Sequence, residues 1–309
     1  MDINRTAGQA RNITQKPKET NMTQMSGGIK TALALSIACL ILFAAAAATA
    51  FAAPKTNMVR IVYVSPQKAE HQLVYQWLKE HRTLERLEEF LSPVRLPRVL
   101  TVSLQECDGE ADAWYEADKI TLCYEYVNEL WKNKPVEKTP VLGLEPMDAV
   151  IGPLVDTSLH EFSHAIFDML NIPVLGREED AADQVAAYIN LRFGKDIARR
   201  MVMGTAWAYG NEAKHAVPLA LEKFANEHGT PAQRAYNELC IAYGADPITF
   251  GDVVTKELLP LARAEACGDE YKKVESAFNI LILPHLDRAM AKKVMDSAWL
   301  PQNTAPLKK

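Results

Sequence analysis

A chain of 309 residues, 48% hydrophobic and with a formal charge of −5, holds enough apolar side chains for a packed core and too many for a disordered one. Its acidity, with no run of basic residues, excludes a nucleic-acid binder that works by neutralising phosphates.

In chain order the first feature is an apolar run, residues 31–53 (TALALSIACLILFAAAAATAFAA), preceded by Lys30 and ending in small residues. A positive start, an apolar centre and an Ala50-Phe51-Ala52 exit form the pattern of a secretory signal, cut after Ala52. The polar stretch before it is long, so Met22 or Met25 are alternative starts. Left uncut, the run is long enough to span a bilayer and would be the chain's only membrane contact. Export to the periplasm or medium is therefore expected, with residues 1–52 as the signal and 53–309 as one domain. Residues 1–52 hold five basic side chains (Arg5, Arg11, Lys16, Lys18, Lys30) against two acidic ones (Asp2, Glu19), so the remainder is more acidic still.

Four cysteines follow the signal: Cys107, Cys123, Cys240 and Cys267. An even count in an exported chain predicts two disulfides. Three pairings are open, and proximity favours 107–123 with 240–267. No CxxC and no Cys/His cluster is present, which argues against a cysteine zinc site.

Beyond the signal, VRIVYV (59–64) alternates as a strand does. Residues 67–91 carry Leu73, Trp77, Leu78, Leu84, Leu87 and Leu91 at helical spacing, with a break near His81. Pro93 and Pro97 end that segment. Three β-like runs follow, at 99–107, 112–116 and 119–126, with a turn at Ala117-Asp118. They read as a meander that a Cys107–Cys123 bond would staple. Residues 132–146 form a loop. From Asp148 the chain reads as helices, with breaks at Asn171 to Pro173, Gly229 to Pro231, Gly244 to Pro247 and Pro260. The expected class is α+β: a small antiparallel or mixed sheet, then a predominantly helical part.

The chemistry concentrates at His160-Glu161-Phe162-Ser163-His164. On a helix, positions i and i+4 share a face. His160 and His164 can thus bind one zinc ion, with Glu161 beside it as general base. A catalytic zinc takes three protein ligands and keeps one position open. A source for the third follows at Glu178-Glu179-Asp180-Ala181-Ala182-Asp183, entered through Gly176. Glu179 and Asp183 are four apart, so Glu179 can be the ligand while Asp183 orients a ligand histidine. The apolar stripe Ala182, Val185, Ala186, Ile189 instead points Glu178 inward and leaves it as the alternate ligand. Some of these acids serve equally as a negative first turn that the helix dipole favours.

The HExxH motif with a downstream Glu-x-x-x-Asp resembles the gluzincin pattern of zinc peptidases. More closely, the chain resembles a bacterial family known only as metallopeptidases of otherwise unknown function. Cys107 to Tyr126, Leu159 to Tyr188 and Asn226 to Pro247 carry the likeness. It implies a zincin-like fold and names no substrate; the motif itself sets the expectation of one zinc per chain and a peptide or protein substrate. Two features depart from the pattern: the spacing from His164 to Glu179 is short, and Ser163 replaces an expected Gly. Within the third stretch, His228 and Tyr236 are candidates to stabilise an oxyanion, though either can equally make a structural hydrogen bond. His71, His81, His215 and His285 read as surface residues, and the tryptophans as core or rim. Two rival functions remain: a catalytically silent zinc-braced module, and hydrolysis of a non-peptide amide. The absence of a visible fourth Cys or His ligand argues against the first.

Overall fold

Burial alternates along β1 (Val59–Tyr63), whose even positions face solvent, as a strand with one covered face requires. The computed structural model describes residues 58–215 and 224–296, all within the unit Pro54–Lys309. The apolar run 31–53 and Trp299 lie outside the described residues. Two helices, α1 (Gln72–Glu80) and α2 (Thr83–Leu91), follow β1. The expected break between them falls at Arg82, which takes a left-handed conformation. They bury Val74, Trp77, Leu78, Leu84 and Leu87 and return the chain to β2 (Leu100–Gln105).

β2 lies parallel to β1 and to β4 (Lys119–Cys123). Strand β3 (Ala113–Glu116) pairs antiparallel with β4. The order is β1-β2-β4-β3, a mixed sheet with β3 at the edge. The 99–126 segment is therefore not a meander, because β4 is inserted between β2 and β3. The expected turn is present: Ala117 and Asp118 both have positive φ, as a tight two-residue hairpin turn demands. Cys107 and Cys123 are bonded, with their Cα atoms 5.5 Å apart. The bond joins the chain just past β2 to the end of β4, which are parallel neighbours.

The run 119–126 ends as a strand at Cys123, and Tyr124–Asn133 forms helix α3, which the sequence reading missed. Its signal was present: Tyr124, Val127, Asn128 and Trp131 have i, i+3, i+4, i+7 spacing, masked by the apolar alternation just before. His71 is a second correction. It is buried rather than on the surface, with Nδ1 2.9 Å from Glu106 Oε1 and its ring stacked on Tyr124.

Helix α4 (Asp148–Met169) is buried along nearly its whole length, polar residues included. It packs against α5 (Glu178–Asn190) and α6 (Lys195–His215), and α7 (Pro231–Ala245) packs against those two. After these come α8 (Asp252–Thr255), α9 (Leu261–Leu281) and α10 (Arg288–Met295). The α5–α6 break, at Gly194 with φ 90, was not anticipated. Helices α4 and α6 touch backbone to backbone at Gly152 and Gly204, where a side chain on Gly204 would collide with the Asp148 carbonyl. A second disulfide, Cys240–Cys267, ties α7 to α9. Among the described residues no helix is long and apolar enough to cross a membrane.

Candidate metal centre

The fourth and fifth helices meet at the HExxH face because the link between them is short and tightly shaped. Asn171 takes the left-handed conformation that closes a helix, and Ile172 N–H bonds back to the Phe167 carbonyl. Gly176 has φ 98, a value that costs glycine little, and α5 starts two residues later. The short spacing from His164 to Glu179 is thereby accommodated.

Each histidine is gripped from behind by a carboxylate. His160 Nδ1 lies 2.8 Å from Asp183 Oδ1, and His164 Nδ1 lies 2.8 Å from Glu178 Oε1. An ionised carboxylate only accepts, so both Nδ1 atoms donate, and a neutral ring then carries its lone pair on Nε2. The two Nε2 atoms face each other at 3.1 Å. Glu179 Oε2 lies 3.0 Å from the first and 3.3 Å from the second. Three lone-pair atoms this close repel unless positive charge sits among them. Without a metal, protons supply it. Burial disfavours a charged His160, but Asp183 and Glu179 outweigh burial and lift its pKa to about 9. His164 is raised by Glu179 and Glu178, also against burial. Hydrogen bonds from His160, His164 and His228 hold Glu179 far below the usual carboxylate range.

The same atoms fit a cation. A tetrahedral ion with bonds of about 2.0–2.1 Å separates its ligand atoms by about 3.3–3.4 Å, close to the spacings found. Glu179 is mostly covered and Glu178 is half exposed, with side chains 17% and 53% accessible. Glu178 touches only the far nitrogen of His164, whereas Glu179 presents its oxygen between the two rings.

Behind Asp183 lies a residue to which the sequence reading gave no role. Arg234, in the first turn of α7, donates from Nε to Oδ2 at 2.9 Å and from Nη2 to Oδ1 at 2.7 Å. Its guanidinium also lies over the Tyr209 ring at 4.6 Å. A bidentate pair of this kind fixes the plane of the carboxylate, and through it the ring of His160. A bare Gln-Arg pair carries no such information in sequence, because the partner lies 51 residues away. Asp183→Ala and Arg234→Ala should each weaken metal binding about 10- to 100-fold, read by chelator competition. Arg234→Lys should not restore it, since a point charge cannot make the fork. Unchanged affinity in both alanine variants would remove the orienting role.

Asp156 and Glu238 are buried in the same layer. Burial pushes Asp156 up to about 7, and its carboxylate accepts from Asn190 Nδ2 at 2.8 Å. Burial and the neighbouring acids also push Glu238 well above the usual carboxylate range, and its Oε1 has no hydrogen-bond partner within the described residues. A carboxyl whose folded pKa is raised holds its proton in the folded state after the unfolded chain has released it. Its stabilising contribution is full below the unfolded value, near 4.5, and is lost as pH rises toward the folded value. Glu238→Gln removes this dependence. The stability difference between the variant and wild type should shift in the variant's favour as pH rises above the unfolded value, by up to about 1.4 kcal/mol per pH unit. Denaturant titrations giving a pH-independent difference would contradict the assignment.

Glu161 is 7% exposed, faces the cleft and makes no hydrogen bond within the described residues. Burial raises its carboxyl, while charge on His160 and His164 pulls the other way. The cleft holds about 770 Å³. Its floor is the line of α4 from Ala149 to Asp168, and edge strand β3 forms one wall.

His228 reaches this centre on a short pinned loop. Its N–H donates to Asn226 Oδ1, and Thr230 and Gln233 form a capping box at the start of α7. His228 Nε2 lies 2.7 Å from Glu179 Oε2, and the ring stacks on His160. One ligand atom each from His160, Glu179 and His228 lies within a 4.8 Å group. A third histidine, and with it a fourth possible ligand, is thus close, contrary to the sequence expectation. Tyr236 is a clear correction. It stands 41% exposed on α7 and does not line the cleft, because the turn that brings Arg234 inward carries position 236 outward.

No curated protein and no solved structure matches the chain. A family model does, over residues 63–282, from the end of β1 to the end of α9 and through every group of the centre. On that match the chain belongs to the DUF4344 family, whose description is "Putative metallopeptidase".

Proposed function

We propose that this chain is an exported zinc-dependent peptidase in which His160, His164 and Glu179 hold the metal and Glu161 is the general base. The observation that carries this reading is the convergence of three acceptor atoms 3.0 to 3.3 Å apart, each ring locked from behind by a carboxylate, beside a buried and unengaged Glu161. When bound, zinc supplies Lewis acidity, polarising a carbonyl oxygen and lowering the pKa of water toward about 7. Glu161 takes the proton of the attacking water on its carboxylate and returns it to the departing amine. Asp183, held by Arg234, and Glu178 keep Nδ1–H on both rings, so that Nε2 stays a donor of electrons. Strand β3 offers an unpaired edge along the cleft, which suits an extended peptide chain. Two disulfides belong to an oxidising compartment and support reading residues 31–53 as an export signal.

The test is direct. Protein purified without chelator should contain about one zinc per chain and cut casein or a peptide library, and chelation should stop the cutting until zinc is restored. Metal-free protein that still hydrolyses peptides, or zinc-loaded protein that cuts nothing across peptides and other amides, refutes the proposal.

One observation favours a second reading: the proximity of His228. As a fourth ligand it would close the centre into a structural brace. As a group facing the substrate it would stabilise developing negative charge. His228→Ala separates the two. On the peptidase reading the metal is retained within a few-fold and kcat falls about 100-fold or more. On the brace reading the variant loses metal as readily as His160→Ala does.

A further inference from the structure

We propose that the cleft selects substrates carrying a cationic nitrogen two or three residues from the scissile bond, read by a subsite between α3 and α6. This rests on the peptidase reading. One face of α3 presents Tyr126, Glu129 and Leu130 to the cleft, and one face of α6 presents Trp207, Asn211 and Glu212. Tyr126 fixes where this subsite lies. Its hydroxyl bonds to Thr157 Oγ1 at 2.8 Å and reaches the Pro153 carbonyl at 3.3 Å. Pro153 and Thr157 stand seven and three residues before His160 on the same helix, so the subsite begins about 5–10 Å from His160 along its axis. An extended substrate advances about 3.3 Å per residue, which sets the distance of two or three residues.

The chemistry of this wall is aromatic and acidic. Glu129 makes no ion pair or hydrogen bond within the described residues. Glu212 acts electrostatically on the Tyr126 hydroxyl and disfavours its ionisation, so both carboxylates border the same space. Further along, Asp112 lies near enough to Glu161 to raise its carboxyl. Against Glu129 and Asp112 the described lining offers one permanent cation, Arg234, whose fork is occupied by Asp183. No described lysine lines the cleft. A concave, acid-lined surface concentrates cations. Indole and phenol faces next to carboxylates are the surroundings in which an ammonium or guanidinium gains both charge pairing and a π contact. A lysine or arginine side chain and a free substrate α-amine share this chemistry.

The experiment measures binding separately from cleavage. In the Glu161→Gln variant, zinc-loaded, dissociation constants are measured for otherwise identical amidated hexapeptides. One position carries Lys, Arg, Gln or Glu, each with a free or an acetylated N-terminus, and wild type is assayed on the same set for hydrolysis. Lys and Arg peptides should bind about tenfold tighter than Gln peptides. The gap should close in Glu129→Gln/Glu212→Gln and shrink at high salt, while zinc content and melting temperature stay unchanged. If the acetylated Lys and Arg peptides keep their advantage, a side chain is the ligand; if only free N-termini bind tightly, the α-amine is. Equal binding by all peptides, or a preference that survives the double variant, overturns the proposal. Tight, charge-selective binding without hydrolysis by wild type would instead sink the peptidase reading and leave the cation subsite standing. Hydrolysis without charge preference does the reverse.

Discussion

Glu161→Gln should lower peptide hydrolysis by about two to four powers of ten while the protein keeps its zinc and its melting temperature. Glu161 directly follows His160, the proposed ligand, so it stands beside the candidate metal position rather than at it, and its carboxylate is buried without a hydrogen-bond partner within the described residues. Burying an ionisable group in that state costs solvation and raises its pKa. A brace gains nothing from it. A hydrolase needs a group at that place that accepts a proton from water and releases it to an amine. Glutamine fills the same volume and removes only the ability to carry the proton. Metal content, circular dichroism and kcat on a peptide library are the measurements. Loss of the metal in this variant would show that Glu161 is a ligand, and retention of full activity would show that the base is another group.

The second large effect concerns the two adjacent acids that open α5. Glu179→Ala should strip the metal, with a loss of affinity beyond the roughly 10- to 100-fold that an orienting carboxylate is worth. Glu178→Ala should stay within that range. Both residues sit in the first turn of the helix and interact with its dipole alike, so the pair controls for helix stability and for net charge. What differs is the atom each presents. Glu179 Oε2 lies within 3.3 Å of His160, His164 and His228, whereas Glu178 Oε1 reaches only His164 Nδ1. Chelator competition on the two variants decides the matter. Metal retained by Glu179→Ala and lost by Glu178→Ala would reverse the assignment and vindicate the apolar-stripe argument.

Glu178 and Glu179 mark where a sequence stops being informative. A helical wheel ranks positions by their distance from the apolar stripe, and on that measure Glu178 points inward better than Glu179. The wheel assumes that the partner lies over the stripe. Here the approach of α5 to α4 is set by the tight turn from Asn171 to Gly176 and by the packing of α7, so the HExxH histidines meet the flank instead.

What the sequence determined by itself was local. The His160/His164 face, the Glu179/Asp183 spacing, the hairpin turn at Ala117-Asp118, the break near His81 and most helix ends all follow from interactions within a few residues. Spacing, turn chemistry and capping express those directly. The α+β class followed from the change of hydrophobic period along the chain, and the even cysteine count anticipated both bonds. What only the tertiary structure decided was non-local. The order β1-β2-β4-β3 puts β3 at an edge over the cleft. Arg234 clamps Asp183 from another helix, His228 arrives on a loop, and Tyr236 faces away. These depend on how helices far apart in sequence cross, and crossing is chosen by the summed packing of side chains such as Gly152 against Gly204. No short window of sequence contains that sum, which is why the HExxH histidines, Glu179 and Asp183 were legible and Arg234, which clamps Asp183, was not.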